Sequence, residues 1–109
     1  MYVQIKVTKK HIAEGVPRQC HSCPIALAVD EVLCQEFKTY VSPTGIYILE
    51  RHGSRKMSRT QAICNLPKIG RDFLDLFDKR SQKSIKPFTF KLRIAGRFVA
   101  QGVPNGTAS

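Results

Sequence analysis

The chain has 109 residues, 42% of them hydrophobic, and a formal net charge of +10 at pH 7. This length suits one domain whose core needs no disulfides, and a charged fraction of 24% is too low for a disordered chain. No apolar run approaches the ~20 residues of a membrane-spanning helix, and the alternating first residues do not resemble a secretory signal peptide. We therefore expect one globular domain over 1–100, a flexible tail over 101–109, no membrane partner, and reduced cysteines in the cytosol.

The first half of the chain predicts a strand over 2–7, a helical turn over 9–14, a helix over 24–36 and a hairpin over 37–50. The strand and the hairpin arms alternate apolar and polar residues with the period of two that strands show. Thr8 is suited to cap the helical turn, and Pro24 is suited to begin the helix. The apolar stripe expected on that helix consists of Ile25, Val29, Val32 and Leu33.

The second half predicts a strand near 59–64, a helix over 67–80, and strands over 88–94 and 97–100. The helix has a helical-period apolar stripe made of Ile69, Phe73, Leu76 and Phe77. In the 88–94 strand, alternation places Lys91 and Arg93 opposite the apolar residues. The elements together predict an α+β domain: a small, mostly antiparallel sheet with two main helices packed on one face.

The net charge lies entirely in the second half. Residues 1–50 contain five Lys or Arg and five Asp or Glu, whereas residues 51–109 contain 13 Lys or Arg and three acids. A half-neutral, half-basic chain presents a directed positive field, which attracts a polyanion. The simpler interpretation is a solvated basic surface that only keeps the protein soluble, because charge runs usually face water.

Two segments carry the excess charge, residues 51–59 and 79–97, and neither contains an acid. Clusters of this kind bind phosphate oxygens and release counterions, so we expect backbone contacts to nucleic acid with low sequence specificity. Exposed aromatic residues for base stacking are limited to Tyr40, Tyr47 and Phe98 as candidates. The predicted nucleic-acid-binding residues are Arg51, Arg55, Lys56, Arg59, Lys83, Lys86, Lys91, Arg93 and Arg97.

The cysteines and acids allow other interpretations. Cys20 and Cys23 form a CxxC motif, and together with His11 or His21 this pair leaves a zinc site open. Cys23 also lies near the start of the predicted helix, where the dipole lowers the pKa of a thiol. We nevertheless expect structural cysteines, since a single CxxC is a weak signal. Three acids at a spacing of three residues are expected to form a salt-bridged solvent face with nearby cations, and they are Asp72, Asp75 and Asp78.

No catalytic motif is found in the sequence. His11 and His52 lack the Ser and Asp arrangement of a triad, and a glycine-rich phosphate loop is missing. We therefore expect no enzymatic activity and no cofactor.

Residues 5–15 and 22–28 contain the patterns I-x-x-G and S-C-P-I-A-x-A, and similar patterns continue at 66–67, 73–78 and 87–90. Over about two thirds of the chain, these patterns resemble a group of small uncharacterised bacteriophage and prophage proteins. The resemblance implies an accessory protein located in the host cytoplasm, and it carries no activity with it. We expect the partner of this chain to be nucleic acid or an acidic host or defence protein. With a protein partner, the chain would be an inhibitor of a host or defence complex.

Overall fold

The computed structural model describes residues 2–17, 19–50, 60–79 and 85–103. In chain order its elements are β1 (Tyr2–Val7), α1 (Lys9–Glu14), α2 (Pro24–Asp30), β2 (Phe37–Ser42), β3 (Gly45–Glu50), β4 (Thr60–Cys64), α3 (Lys68–Asp78), β5 (Phe88–Arg93) and a 3-10 turn at Gly96–Phe98. The α+β class with antiparallel strands is confirmed. Among the described helices, none is both long enough and apolar enough to cross a membrane.

The strands form two small sheets. The first strand pairs with the last, β1 with β5, and the other sheet has the order β2-β3-β4, with a register shift between Ile48 and Leu49. Each sheet buries one face in a common core, to which α2 and α3 also contribute. The first and last described strands, β1 and β5, therefore pair with each other. The predicted hairpin is formed by β2 and β3 in the second sheet.

The helix predicted over 24–36 is shorter than expected, since α2 ends at Asp30. Beyond it the chain pairs with the segment that follows β5: Leu33 bridges to Val99, the Cys34 N–H donates to the Phe98 carbonyl, and the Ala100 N–H donates to the Val32 carbonyl. These long-range hydrogen bonds replace the helical ones. The strand predicted over 97–100 is likewise wrong, because its first half is the 3-10 turn.

The apolar stripe of α3 is rotated relative to the prediction. Phe73 and Phe77 are buried as expected, but Ile69 and Leu76 are 49% and 38% exposed, and Gly70 and Leu74 are buried instead. Gly70 is in close contact with its neighbours, since an added Cβ atom would lie 2.6 Å from Leu66 Cδ1 and 3.6 Å from Ile25 Cδ1. The buried side of α3 therefore includes Gly70 and Leu74 beside Phe73 and Phe77, and Ile69 and Leu76 face solvent.

Candidate nucleic-acid interface

The sheet formed by β1 and β5, termed the ribbon from here on, has one buried and one exposed face. Val3, Ile5 and Val7 of β1 are buried, and every second residue between them is exposed; β5 shows the same alternation from Thr89 to Arg93. The register places Tyr2 opposite Arg93, Gln4 opposite Lys91 and Lys6 opposite Thr89. The exposed face therefore has three rows of two side chains.

This face, termed the ribbon face, contains three cations and no acid. Its rows lie about 7 Å apart, since antiparallel strands rise about 3.4 Å per residue, so the cations follow the ribbon over a length of about 14 Å. Among the described residues, no ion pair involves Lys6, Lys91 or Arg93. Their charges are thus directed to solvent, where counterions or a bound phosphate would neutralise them.

A cavity of about 400 Å³ extends the basic surface beyond one end of the ribbon. It lies between α1 and the segment before β5, and its walls include Lys9 and Lys86, both of which are exposed. Val7 and Phe88 form the last pair of the ribbon. Lys9 lies two residues after Val7 and Lys86 two residues before Phe88, so both are just beyond this end. The basic surface of the described residues therefore combines both halves of the chain.

The structure brings together some of the residues predicted from the sequence. Lys91 and Arg93 share the ribbon face, and Lys86 lies beyond its end. Arg97 is exposed in the 3-10 turn, with its guanidinium carbon 4.3 Å from the ring centroid of Phe98. The remaining predicted residues lie outside the described residues and stay predictions: Arg51, Arg55, Lys56, Arg59 and Lys83.

Lys6 and Lys9 were missed because they belong to the half of the chain with no net charge. The alternation of residues 2–7 already indicated that Lys6 is on the polar side of a strand. Only the pairing of β1 with β5 brings it beside Lys91, one row away on the same face. The sequence signal for Lys6 was thus local, whereas Lys91, which it adjoins on the face, is about 85 residues away in the sequence.

The aromatic candidates lie in two places, Tyr40 and Tyr47 in the three-stranded sheet and Phe98 in the 3-10 turn. Phe98 was expected to be exposed, but it is 1% exposed and packs edge-to-face on Phe37. Tyr40 and Tyr47 are directly opposite one another and half-buried, with ring centroids 5.8 Å apart, and the His21 ring contacts Tyr40 in the same edge-to-face manner. Base stacking on Phe98 is therefore excluded in this conformation.

Tyr40 and Tyr47 belong to the outer face of the three-stranded sheet. The next residue in the row is Ile63 of β4, which is 64% exposed. A hydrogen bond with the Cys20 thiol raises the pKa of Tyr40, and the Thr44 hydroxyl lies 3.4 Å from the Tyr47 hydroxyl. This row, termed the tyrosine row, is the part of the described surface where aromatic and large apolar side chains adjoin.

The CxxC cysteines have structural environments. Cys23 is the N-cap of α2, with the Ala26 N–H donating to its sulfur at 3.4 Å. Burial nevertheless raises the pKa of Cys23 to about 11, so the lowered pKa considered for a reactive thiol is wrong. In the described ranges, no three His, Cys, Asp or Glu side chains are grouped closely enough to share a metal ion. The sulfur of Cys23 therefore acts as a cap within the core.

His11 is buried and has a partner on each ring nitrogen. The Thr8 backbone N–H donates to Nδ1 at 3.0 Å, so Nε2 carries the proton and donates to the Glu31 carboxylate. Thr8 and His11 form a capping box at the start of α1, which satisfies backbone groups that the helix leaves free. The Thr8 hydroxyl is also within 3.1 Å of Nδ1. These contacts connect α1 to the end of α2 and account for the buried imidazole.

A second cavity, of about 430 Å³, lies between α3 and the edge of β2. Its walls include Cys20, Arg71, Asp75 and Asp78. The expected salt-bridged face of α3 is represented by Lys79 and Asp75, which are 3.2 Å apart and both exposed. Such an exposed pair contributes little stability.

Comparisons with known proteins give no relative for this chain. No family model matches the sequence, no curated protein matches it, and no solved structure matches its fold.

Proposed function

We propose that the protein binds nucleic acid through the phosphate backbone, without an enzymatic step. The observation that carries the proposal is the ribbon face, on which Lys6, Lys91 and Arg93 project to solvent with no acid among them. Several cations held by a regular backbone can contact successive phosphates at once, and each contact releases condensed counterions.

The surroundings of the ribbon support the proposal. Lys9 and Lys86 continue the basic surface beyond its end. The segment that connects β3 to β4, residues 51–59, contributes four further cations and no acid to the composition. The acids of the second half are confined to α3. A polyanion that approaches the ribbon face would thus meet cations and no acid on that face.

We also infer a biological setting from the sequence patterns. They resemble those of small uncharacterised bacteriophage and prophage proteins, and this resemblance favours an accessory protein that acts in the host cytoplasm. A basic accessory protein of this kind would bind host or phage nucleic acid as a ligand rather than as a substrate.

The proposal is tested by fluorescence-anisotropy titration of labelled single-stranded DNA, duplex DNA and RNA at 50, 100 and 200 mM salt. Micromolar or tighter binding with a steep linear dependence of log K on log salt supports it, because the slope counts displaced counterions. The absence of binding to all three ligands at 50 mM salt would refute it. The strand type bound most tightly identifies the ligand class.

The tyrosine row favours a second candidate function, the capture of a host or defence protein. An exposed Ile63 beside two half-buried tyrosines is typical of a surface that contacts another protein. Under this alternative, a nuclease-treated lysate yields one specific partner with the wild-type chain and loses it with Ile63→Asp. Retention of the partner by Ile63→Asp, or its loss after nuclease treatment, contradicts the alternative.

A further inference from the structure

The ribbon has the shape of an element that enters the major groove of duplex DNA. Its two strands are about 4.8 Å apart, and the major groove, about 12 Å wide, admits a two-stranded ribbon. Within the described residues, neither long edge of the ribbon pairs with a third strand. The core covers its inner face only, so the outer face is open along its whole length.

The side chains of the ribbon face match base edges as well as phosphates. Gln4 and Lys91 form the middle row, between the rows that contain Arg93 and Lys6. The planar guanidinium of arginine donates to both the N7 and the O6 acceptor of guanine, a fork that the single ammonium of lysine lacks, while glutamine makes two hydrogen bonds to adenine. Thr89 adds a hydroxyl and a methyl group, which contacts the thymine methyl. All six residues of the face have a polar group, and their side chains project perpendicular to the ribbon. Apart from Tyr2, each has a flexible or branched side chain that can donate a hydrogen bond.

A single strand fits this face less well. Proteins that bind single strands stack successive bases on several aromatic side chains. The ribbon face has one aromatic residue, Tyr2, which is 37% exposed and stands at the end of β1. Two-stranded ribbons also twist strongly, which lets their outer face follow a helical groove.

We propose, on the basis of the proposed function, that the ribbon face inserts into the major groove of duplex DNA, where Gln4 and Arg93 read base edges. The ribbon covers about 17 Å, equivalent to about five base pairs at 3.4 Å each. Lys6 and Lys91 contact the flanking phosphates. Binding through this face therefore has a sequence preference over about five base pairs, in addition to the backbone affinity.

The experiment begins with selection of bound sites from a random duplex library, followed by anisotropy titration of the selected duplex and a scrambled one. Gln4→Ala and Arg93→Lys leave the net charge unchanged and remove a two-pronged base contact. Each is expected to lower the preference for the selected duplex by about 5- to 150-fold, the range for one such contact, with the salt slope unchanged. Gln35→Ala and Arg71→Lys, exposed residues outside the ribbon, are the matched controls and retain the preference.

A duplex with 7-deazapurines in the selected site provides a second arm, because it lacks the N7 acceptors of the major groove and keeps every phosphate. Weaker binding to this duplex supports insertion into the groove. Equal binding to it, tighter binding of single strands, or an unchanged preference in both ribbon variants overturns the inference while leaving backbone binding intact. Failure of the wild-type protein to bind any nucleic acid at low salt would overturn the proposed function itself.

Discussion

Neutralising the ribbon face should reduce both the affinity for duplex DNA and its salt dependence. The triple substitution of Lys6, Lys91 and Arg93 by glutamine removes three positive charges and retains polar side chains of similar length. All three residues are exposed, and no ion pair among the described residues is broken. The fold should therefore survive, since surface substitutions of this kind change stability by about 0.5 kcal/mol or less.

The expected magnitude follows from the number of phosphate contacts removed. Under backbone binding alone, each of the three cations contacts one phosphate. Each contact contributes about 0.9 to the slope of log K against log salt on duplex DNA, so the loss of three contacts lowers the slope by about 2.7. With Arg93 on a base edge, only the contacts of Lys6 and Lys91 are lost, and the slope falls by about 1.8. At 0.1 M salt each contact contributes about 0.9 log units of affinity by the same relation. The triple variant should bind roughly 500-fold more weakly, equivalent to about 3.7 kcal/mol.

The assay is an anisotropy titration of one labelled duplex at several salt concentrations, with the circular dichroism spectrum as the test of folding. The matched control replaces Lys68 and Arg71 of α3, together with Lys79 at its C-terminal cap, by glutamine, which removes the same net charge away from the ribbon. The control should retain most of the affinity. Equal losses in the two variants would show that only net charge matters, and an unchanged slope in the ribbon variant would refute the assignment of the ribbon face.

Three further predictions concern the basic segment 51–59, a glycine and a thiol. Replacement of Arg55, Lys56 and Arg59 by glutamate should abolish nucleic-acid binding in the same titration and leave the circular dichroism spectrum unchanged. Unchanged affinity would remove the segment 51–59 from the interface. Gly15→Ala should lower the free energy of unfolding in urea by about 1–3 kcal/mol, because its Cβ atom would lie 2.6 Å from Pro24 ring atoms and 2.8 Å from the Pro24 nitrogen; a smaller loss would mean that the chain before α2 shifts freely. The pKa of Cys23 is raised to about 11 from an ordinary 9.0. The buried thiol therefore contributes fully to the free energy of unfolding below pH 9. This contribution is lost as the pH rises from 9 to 11, because the unfolded chain releases the thiol proton first. Over that range the free energy of unfolding in urea should fall by roughly 2 kcal/mol more for the wild type than for Cys23→Ala, and parallel pH profiles would contradict this.

Short-range patterns in the sequence predicted most elements correctly. Alternation located β1, β5 and the hairpin, and the capping role of Thr8 and the position of Pro24 at the start of α2 are confirmed. These features depend on residues within a few positions of each other. The errors occurred where distant segments compete for the same backbone. The helix α2 ends early because residues 32–34 bond to residues 98–100.

The sequence by itself determined the composition of the candidate interface on β5. Alternation placed Lys91 and Arg93 on the face opposite the core, and the lack of acids between residues 79 and 97 made that face positive. Tertiary structure decided which other residues belong to it. Lys6 joins the face because β1 pairs with β5, and Phe98 is lost as a stacking platform because it packs into the core against Phe37. Strand alternation is a local property of the backbone, whereas the choice of a strand's partner depends on how the whole chain buries its apolar faces.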